Sequence, residues 1–302
     1  MNFEDKIIDF RPKPLSENKE LMARILDQKS KTVDNFRPKE GDFLDLYTKE
    51  EIANDLLEIK RLKNIWDSEV KTEKEKYLKE VADIYEGVIA DQIEANSWFG
   101  ENCETYLTTE YDDKKNGVDA VSIFTREESK SYLGLGIDVT FASNKDILEK
   151  KLESIKQCIR NGTLPILKYF EDPDTKEHKK IYLPKVIVGS RLSSAEKLIE
   201  LWGSKDPNRN KKLQEHPVQA KIILESIYQL RYFSKFAMNL SEHEKEKDMA
   251  EKYKNIAMEY DKMGDIFYYI YEKKKKLIDD SLNEISDDIV YETILKYTGN
   301  GK

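Results

Sequence analysis

Apolar positions change their period along the chain, from three-and-four spacing near both ends to alternation in the middle. From about Lys49 to Phe99 the residues Ile52, Leu56 and Ile59, then Val81, Ile84, Tyr85, Val88, Ile89 and Ile93, recur at helical spacing. A break is expected near Ser68 to Thr72. At about 100° per residue, Gln92 falls near the middle of the second apolar stripe and Glu86 at its edge. After Gly100 the pattern predicts a strand from about Cys103 to Tyr111 that ends at Asp112-Asp113, a turn at Asn116-Gly117, and two further strands. Ser143 and Asp146 have the spacing of a capping box, opening a helix through Ile147, Leu148, Leu152, Ile155 and Ile159 that Asn161-Gly162 stops. Two more β-runs follow, Leu164 to Phe170 and Ile181 to Gly189, joined by the turn-rich Glu171 to Lys179.

Beyond Ser190 the pattern is helical to the end. It predicts a helix from Ser193 to Trp202, a polar loop from Asp206 to Lys212, and a helix from His216 to Asn239. Ser241 and Glu244 suggest a further capping box. The helix it opens places Met249, Tyr253, Ile256, Tyr260, Met263, Phe267, Ile270 and Leu277 on one seam, with Lys274 in its polar slot. An antiparallel hairpin against residues 216–239 is the preferred partner for this heptad seam; a homodimer or another protein is the alternative. A short last helix is expected after Ser286. The fold class is therefore α/β, a mixed central sheet flanked by helices, with a long helical C-terminal extension. Its parts are an N-terminal arm at 1–48, an α/β core with its leading helices at 49–190, and a helical region at 191–302.

Two apolar β-runs each carry one acid. In the third predicted strand Leu133, Leu135, Ile137, Val139 and Phe141 share one face, while Gly134, Gly136, Asp138, Thr140 and Ala142 share the other. The second face is small and polar, which reads as a floor with room for a ligand backbone. Asp119 shares its side with Val121 and Ile123 and so points inward. A buried carboxylate is costly without a compensating cation or donor, and a divalent metal would supply one. The alternatives are that Asp119 caps the turn at Asn116-Gly117 and that Asp138 takes a Lys partner. Asp112 and Asp113 could orient that turn or bind metal at the rim.

With 302 residues, the chain can bury a full core. It is 36% charged with a net charge of -8, which argues against coating nucleic acid through bulk charge but leaves room for a local basic cleft. Two cysteines, Cys103 and Cys158, no apolar run near 18 residues and no leader-like start predict a cytoplasmic protein without a disulfide or a membrane anchor. His178, His216 and His243 are scattered, so any metal would be oxygen-bound.

Gly-Val-Asp119 on the second strand and Ile-Asp138-Val-Thr140 on the third together resemble the PD-(D/E)XK nuclease superfamily, over roughly residues 75–190. The resemblance implies a restriction-endonuclease-like core of helix, three strands, helix and strand. It also implies Mg²⁺ or Mn²⁺ held by Asp119 and Asp138, with Glu86 as a third ligand from the helix. A Lys two residues past the second acid would position the hydrolytic water, but Thr140 stands there and no Pro precedes Asp119. Thr supplies no charge. Among Lys145, Lys150 and Lys151, Lys151 is the best substitute, because it sits one turn into the helix beside Leu148 and Leu152, where a long side chain can lie back over the sheet. The catalytic set is thus Asp119, Asp138 and Lys151. A nuclease acting on DNA or RNA is the first expectation. A catalytically inactive binding or assembly protein of the same fold, favoured by Thr140, and an unrelated α/β scaffold are the others.

A short echo also stands out at the N-terminus, Asp9-Phe10-Arg11-Pro12-Lys13 and Asn35-Phe36-Arg37-Pro38-Lys39, flanking the helical pattern of Leu21, Met22, Ile25 and Leu26. Pro makes each copy an element boundary and permits an extended arm along the body. Such an arm could dock or touch phosphate; coincidence is the simpler account.

Overall fold

The computed structural model describes residues 15, 18–126, 129–141 and 145–299. The first copy of the echo and the Ser143 cap lie outside them. Helix α1 (Lys19–Thr32) buries Ile25 and leaves Leu26 exposed. Helices α2 (Lys49–Glu69) and α3 (Glu73–Ala95) part where the pattern breaks. Each starts at a full capping box, Thr48 with Glu51 and Thr72 with Glu75. The stripe predicted for α3 is buried throughout, and Gln92 lies within it.

Strand β1 (Cys103–Leu107) stops short of the predicted Tyr111, because Thr109 caps helix α4 (Glu110–Asn116) by accepting from the Asp112 N–H. Gly117 closes that helix in the left-handed region at φ 62. Asp112 and Asp113 therefore lie in the first turn of a helix, where acids suit the macrodipole, instead of at a strand end. Strands β2 (Ala120–Arg126) and β3 (Ser129–Phe141) follow, then helix α5 (Lys145–Arg160). Strands β4 (Ile166–Glu171) and β5 (His178–Tyr182) pair as a small separate sheet, and β6 (Lys185–Ser190) returns to the main one. The apolar run Ile181 to Gly189 is thus two strands, divided at Leu183-Pro184, where Pro lacks a ladder donor. Among the described residues the main sheet is mixed and runs β1-β2-β3-β6, with β3 and β6 parallel.

Leu135, Ile137 and Val139 enter the main core with α3 and α5. On the opposite face Val118, Val121 and Ile123 pack against Leu167, Phe170 and Leu183 of the β4–β5 layer. This layer corrects the reading of Gly134 and Gly136 as ligand space. A Cβ on Gly136 would meet Leu183 Cδ1 at 2.9 Å, so the chain's own leucine fills the gap.

The chain continues through α6 (Leu192–Trp202), α7 (Arg209–Gln214), α8 (Pro217–His243), α9 (Lys247–Ile285) and α10 (Ile289–Tyr297). Helix α7 replaces the back half of the expected polar loop, burying Leu213. Ser241 belongs to the end of α8 and donates to the Ala250 carbonyl, so it opens no helix; α9 starts at Lys247 without a side-chain cap. The three-residue link makes α8 and α9 an antiparallel hairpin, with Tyr253, Ile256, Tyr260, Met263, Phe267 and Ile270 buried along the seam. Among the described residues no helix is long and apolar enough to cross a membrane.

Helix α8 also finishes the sheet. Strand β6 is an edge, and an edge leaves backbone groups without partners. Gln229 accepts from Ile187 N (2.9 Å) and donates to Ile187 O (2.6 Å), while Glu225 Oε2 accepts from Gly189 N (3.0 Å). Glu225 Oε1 is buried without a hydrogen-bond partner among the described residues. Burial raises this carboxyl from the ordinary 4.5 to about 8, against the attraction of Lys221. The fold therefore favours protonated Glu225. Its contribution to stability is complete below the unfolded value and is lost as pH rises through about 8. Urea denaturation of Glu225→Gln and wild type across pH 4.5 to 8.5 should show the variant gaining progressively, by about 4 kcal/mol at the upper end given about 1.4 kcal/mol per pH unit. A difference that stays constant with pH would refute this.

Candidate active site

The site begins with strand register. Ala120 lies opposite Ile137, so one residue further along the ladder Asp119 falls beside Asp138 on the same sheet face. Asp119 N donates to Ile137 O (2.8 Å), and Asp119 Oδ2 accepts from Val139 N (2.6 Å). Both acids are buried, at 5% and 3% exposure.

Two more carboxylates come from helices. Glu86 projects half-buried from α3 and Asp113 from α4, and ligand atoms of Glu86, Asp113 and Asp119 all lie within 4.8 Å of one another. Asp138 is not a member of that triad. Its Oδ1 accepts from Lys151 Nζ at 2.6 Å, and its Oδ2 lies 3.6 Å from Lys185 Nζ. Lys185, on β6, also donates to the carbonyls of Asn116 (3.3 Å) and Gly117 (3.0 Å), tying the end of α4 to the sheet. The two aspartates expected as a pair thus stand side by side but in different company. Asp119 joins Glu86 and Asp113, while Asp138 takes two lysines, one of them the Lys151 singled out from its place on the helix.

The charges explain one another. Burial, then repulsion from Asp113, raises Glu86 to about 8. Burial, then Glu86, Asp113 and Asp138, raises Asp119 well above the carboxylate range. Burial also pushes Asp113 upward, but Lys114 and Arg37 outweigh it and hold that group below its ordinary value. Lys114 Nζ sits 2.9 Å from Asp113 Oδ1, and Arg37 Nη1 sits 2.9 Å from Oδ2. Lys114 is itself raised to about 12, with Asp113 and Glu86 overcoming its burial. Lys151 is raised too, since Asp138 and Asp119 outweigh burial.

Two carboxylates that burial and repulsion drive toward the neutral form, Glu86 and Asp119, and a third that cations hold ionised, Asp113, make a hard-oxygen set with room for positive charge. Oxygens within that span can share one ion with bonds of roughly 2.1–2.5 Å. The acids line a cleft of about 480 Å³, and so do Lys114, Lys115, Lys150, Lys151 and Lys185, giving a local basic lining in an acidic protein.

Asp113, Lys185 and Arg37 were not assigned to the centre of the site by the sequence. Asp113 was visible only as half of a turn-orienting or rim pair. In the structure the two acids divide that work: Asp112 accepts from Lys168 N and Tyr169 N, both at 2.8 Å, fastening α4 to β4, and Asp113 faces the cleft. Arg37 belongs to the second copy of Phe-Arg-Pro-Lys. It takes the extended backbone, φ -70 and ψ 121, that the following Pro38 favours, and its side chain reaches an acid of the site.

No family model matches the chain, and neither a curated protein nor a solved structure matches it.

Breaking the Lys151–Asp138 pair leaves an acid at 4% side-chain exposure with, among the described residues, the longer Lys185 ion pair. Lys151→Ala should cost about 2 kcal/mol, less than the roughly 3–5 of a fully buried pair, because Lys151 is 34% exposed. Adding Asp138→Asn should recover most of that loss. A double-mutant cycle in urea measures the coupling, and strictly additive costs would show that the pair is not coupled.

Proposed function

We propose that the chain is a divalent-metal-dependent phosphodiester hydrolase acting on nucleic acid, with Glu86, Asp113 and Asp119 as the ion's ligands and Lys151, set by Asp138, as the cation beside the scissile phosphate. The observation that carries this is the convergence of three carboxylates from α3, α4 and the start of β2 next to a buried Asp–Lys pair in one cleft. The order α3, β1, β2, β3, α5, β6, with α4 inserted after β1 and the β4–β5 pair inserted before β6, supports it, because helix, three strands, helix, strand is what the PD-(D/E)XK resemblance implies. So does the lysine reaching Asp138 from the following helix, which supplies the charge that Thr140 lacks.

The donor set fits Mg²⁺ or Mn²⁺, since every ligand is a hard oxygen. Such an ion supplies Lewis-acid stabilisation of negative charge building on a phosphoryl oxygen. The chain's own residues do the rest. Lys151, held protonated by Asp138, is placed for the charge on the phosphate, and Lys185 braces Asp138 from the other side. Lys114 and Arg37 keep Asp113 ionised and thus ready as a ligand.

A second reading has its own support. Both Asp138 oxygens face lysines and Thr140 is uncharged, which suits a site that binds nucleic acid without cleaving it.

Calorimetric titration with Mn²⁺ should find one ion per chain in wild type and a loss of affinity of about 10- to 100-fold in Asp119→Asn, with an unchanged far-UV spectrum. Nicking of DNA or RNA in Mn²⁺ should fall about 100-fold or more in both Asp119→Asn and Lys151→Ala. Ion binding without turnover would move the choice to the second reading. No ion bound to wild type, or cleavage that survives Asp119→Asn, would end the first.

A further inference from the structure

One side chain lining the cleft has no part in that chemistry. Trp66, near the end of α2, borders the cleft with the exposed Ile147 of α5, and Lys114 Nζ lies 5.6 Å from its ring centroid. The indole is only half-buried, whereas Trp98 and Trp202 are at 0% and 1% exposure inside the core. An aromatic ring beside several ammonium groups is the pairing by which proteins hold a nucleotide, the ring taking the base and the cations its phosphates.

We infer that the cleft takes an unpaired nucleotide of a single strand, its base stacked on Trp66 and its phosphate drawn by Lys150 and Lys151; the choice of nucleic acid rests on the phosphodiester reading above. Two considerations favour a single strand over a duplex. A base inside a duplex has its faces covered by its neighbours, so an indole in the cleft wall can stack only on a base that has left the stack. The cleft's volume of about 480 Å³ is that of a small-molecule site, suited to nucleotide-sized groups. The cations are also unequally committed: Lys115 pairs with Glu58 (2.8 Å) and Lys114 with Asp113, but Lys150 forms no ion pair with any described residue and is free to meet a phosphate.

Because the other two tryptophans are sealed in the core and cannot stack on a ligand, a quench by direct contact reports on Trp66. The test is to titrate the protein, in EDTA so that nothing is cleaved, with oligothymidylate of about ten nucleotides and separately with a hairpin duplex of similar length. The single strand should quench the emission, and the duplex should not. Trp66→Ala should abolish the quench and weaken single-strand binding roughly five- to hundredfold, and Trp66→Phe should keep most of the affinity without the signal. Equal quenching by the duplex, or unchanged single-strand affinity in Trp66→Ala, overturns the inference. Metal-dependent cleavage with an unaltered KM in Trp66→Ala would sink the stacked base and leave the hydrolase standing. A Trp66-dependent quench in a protein that binds no Mn²⁺ would do the reverse.

Discussion

Burying negative charge is the constraint from which the rest of this site follows. The β2–β3 register sets Asp119 beside Asp138 on an inward face, and α3 and α4 add Glu86 and Asp113. Four carboxylates so close are unfavourable unless positive charge reaches them. The cations come from separate parts of the chain: Arg37 from the N-terminal segment, Lys114 from α4, Lys151 from α5 and Lys185 from β6. Arg37, Lys151 and Lys185 reach their acids only when their own elements are docked, whereas Lys114 neighbours Asp113 on α4. The charge balance therefore selects one arrangement of these elements more than it adds net stability.

What the sequence disclosed, and what it hid, divides along the same line. Features with a local cause were legible: the break between α2 and α3, the buried stripe of α3 with Gln92 inside it, the alternation of β3 and the seam of α9. Lys151 was legible as well, because a helix fixes the direction of its side chains relative to the apolar face. Features with a distant cause were not. Alternation alone cannot tell that Leu183 will fill the space over Gly136, nor that Gln229 and Glu225 of α8 will close the edge of β6. Asp113 looked the same as Asp112 in sequence, and only the docking of β4 against α4 separates the two roles. Local signals also competed. Thr109 and the acids after it favoured a helix start over continuation of β1.

Net charge misleads about the cleft for a related reason. A total of -8 describes the whole surface, but the field a ligand meets is set by what lines its path. Here the acids lie at the bottom, largely engaged with one another or with cations, while Lys115 and Lys150 are exposed and Trp66 stands among them. An acidic protein can thus present a basic and aromatic approach to an acidic centre.

Thr140 stands where the resemblance calls for lysine. Strand β6 runs parallel to β3 and approaches it closely: a Cβ on Gly189 would lie only 2.1 Å from the Thr140 carbonyl oxygen. Across this tight seam a compact β-branched residue suits the strand pairing. Lys185, entering on β6, reaches Asp138 Oδ2 from one side, and Lys151 reaches Oδ1 from the other. A third ammonium two residues along the same strand would crowd two already present, at a cost in like-charge repulsion. The positive charge at Asp138 thus comes from α5 and β6, and β3 carries none beside it.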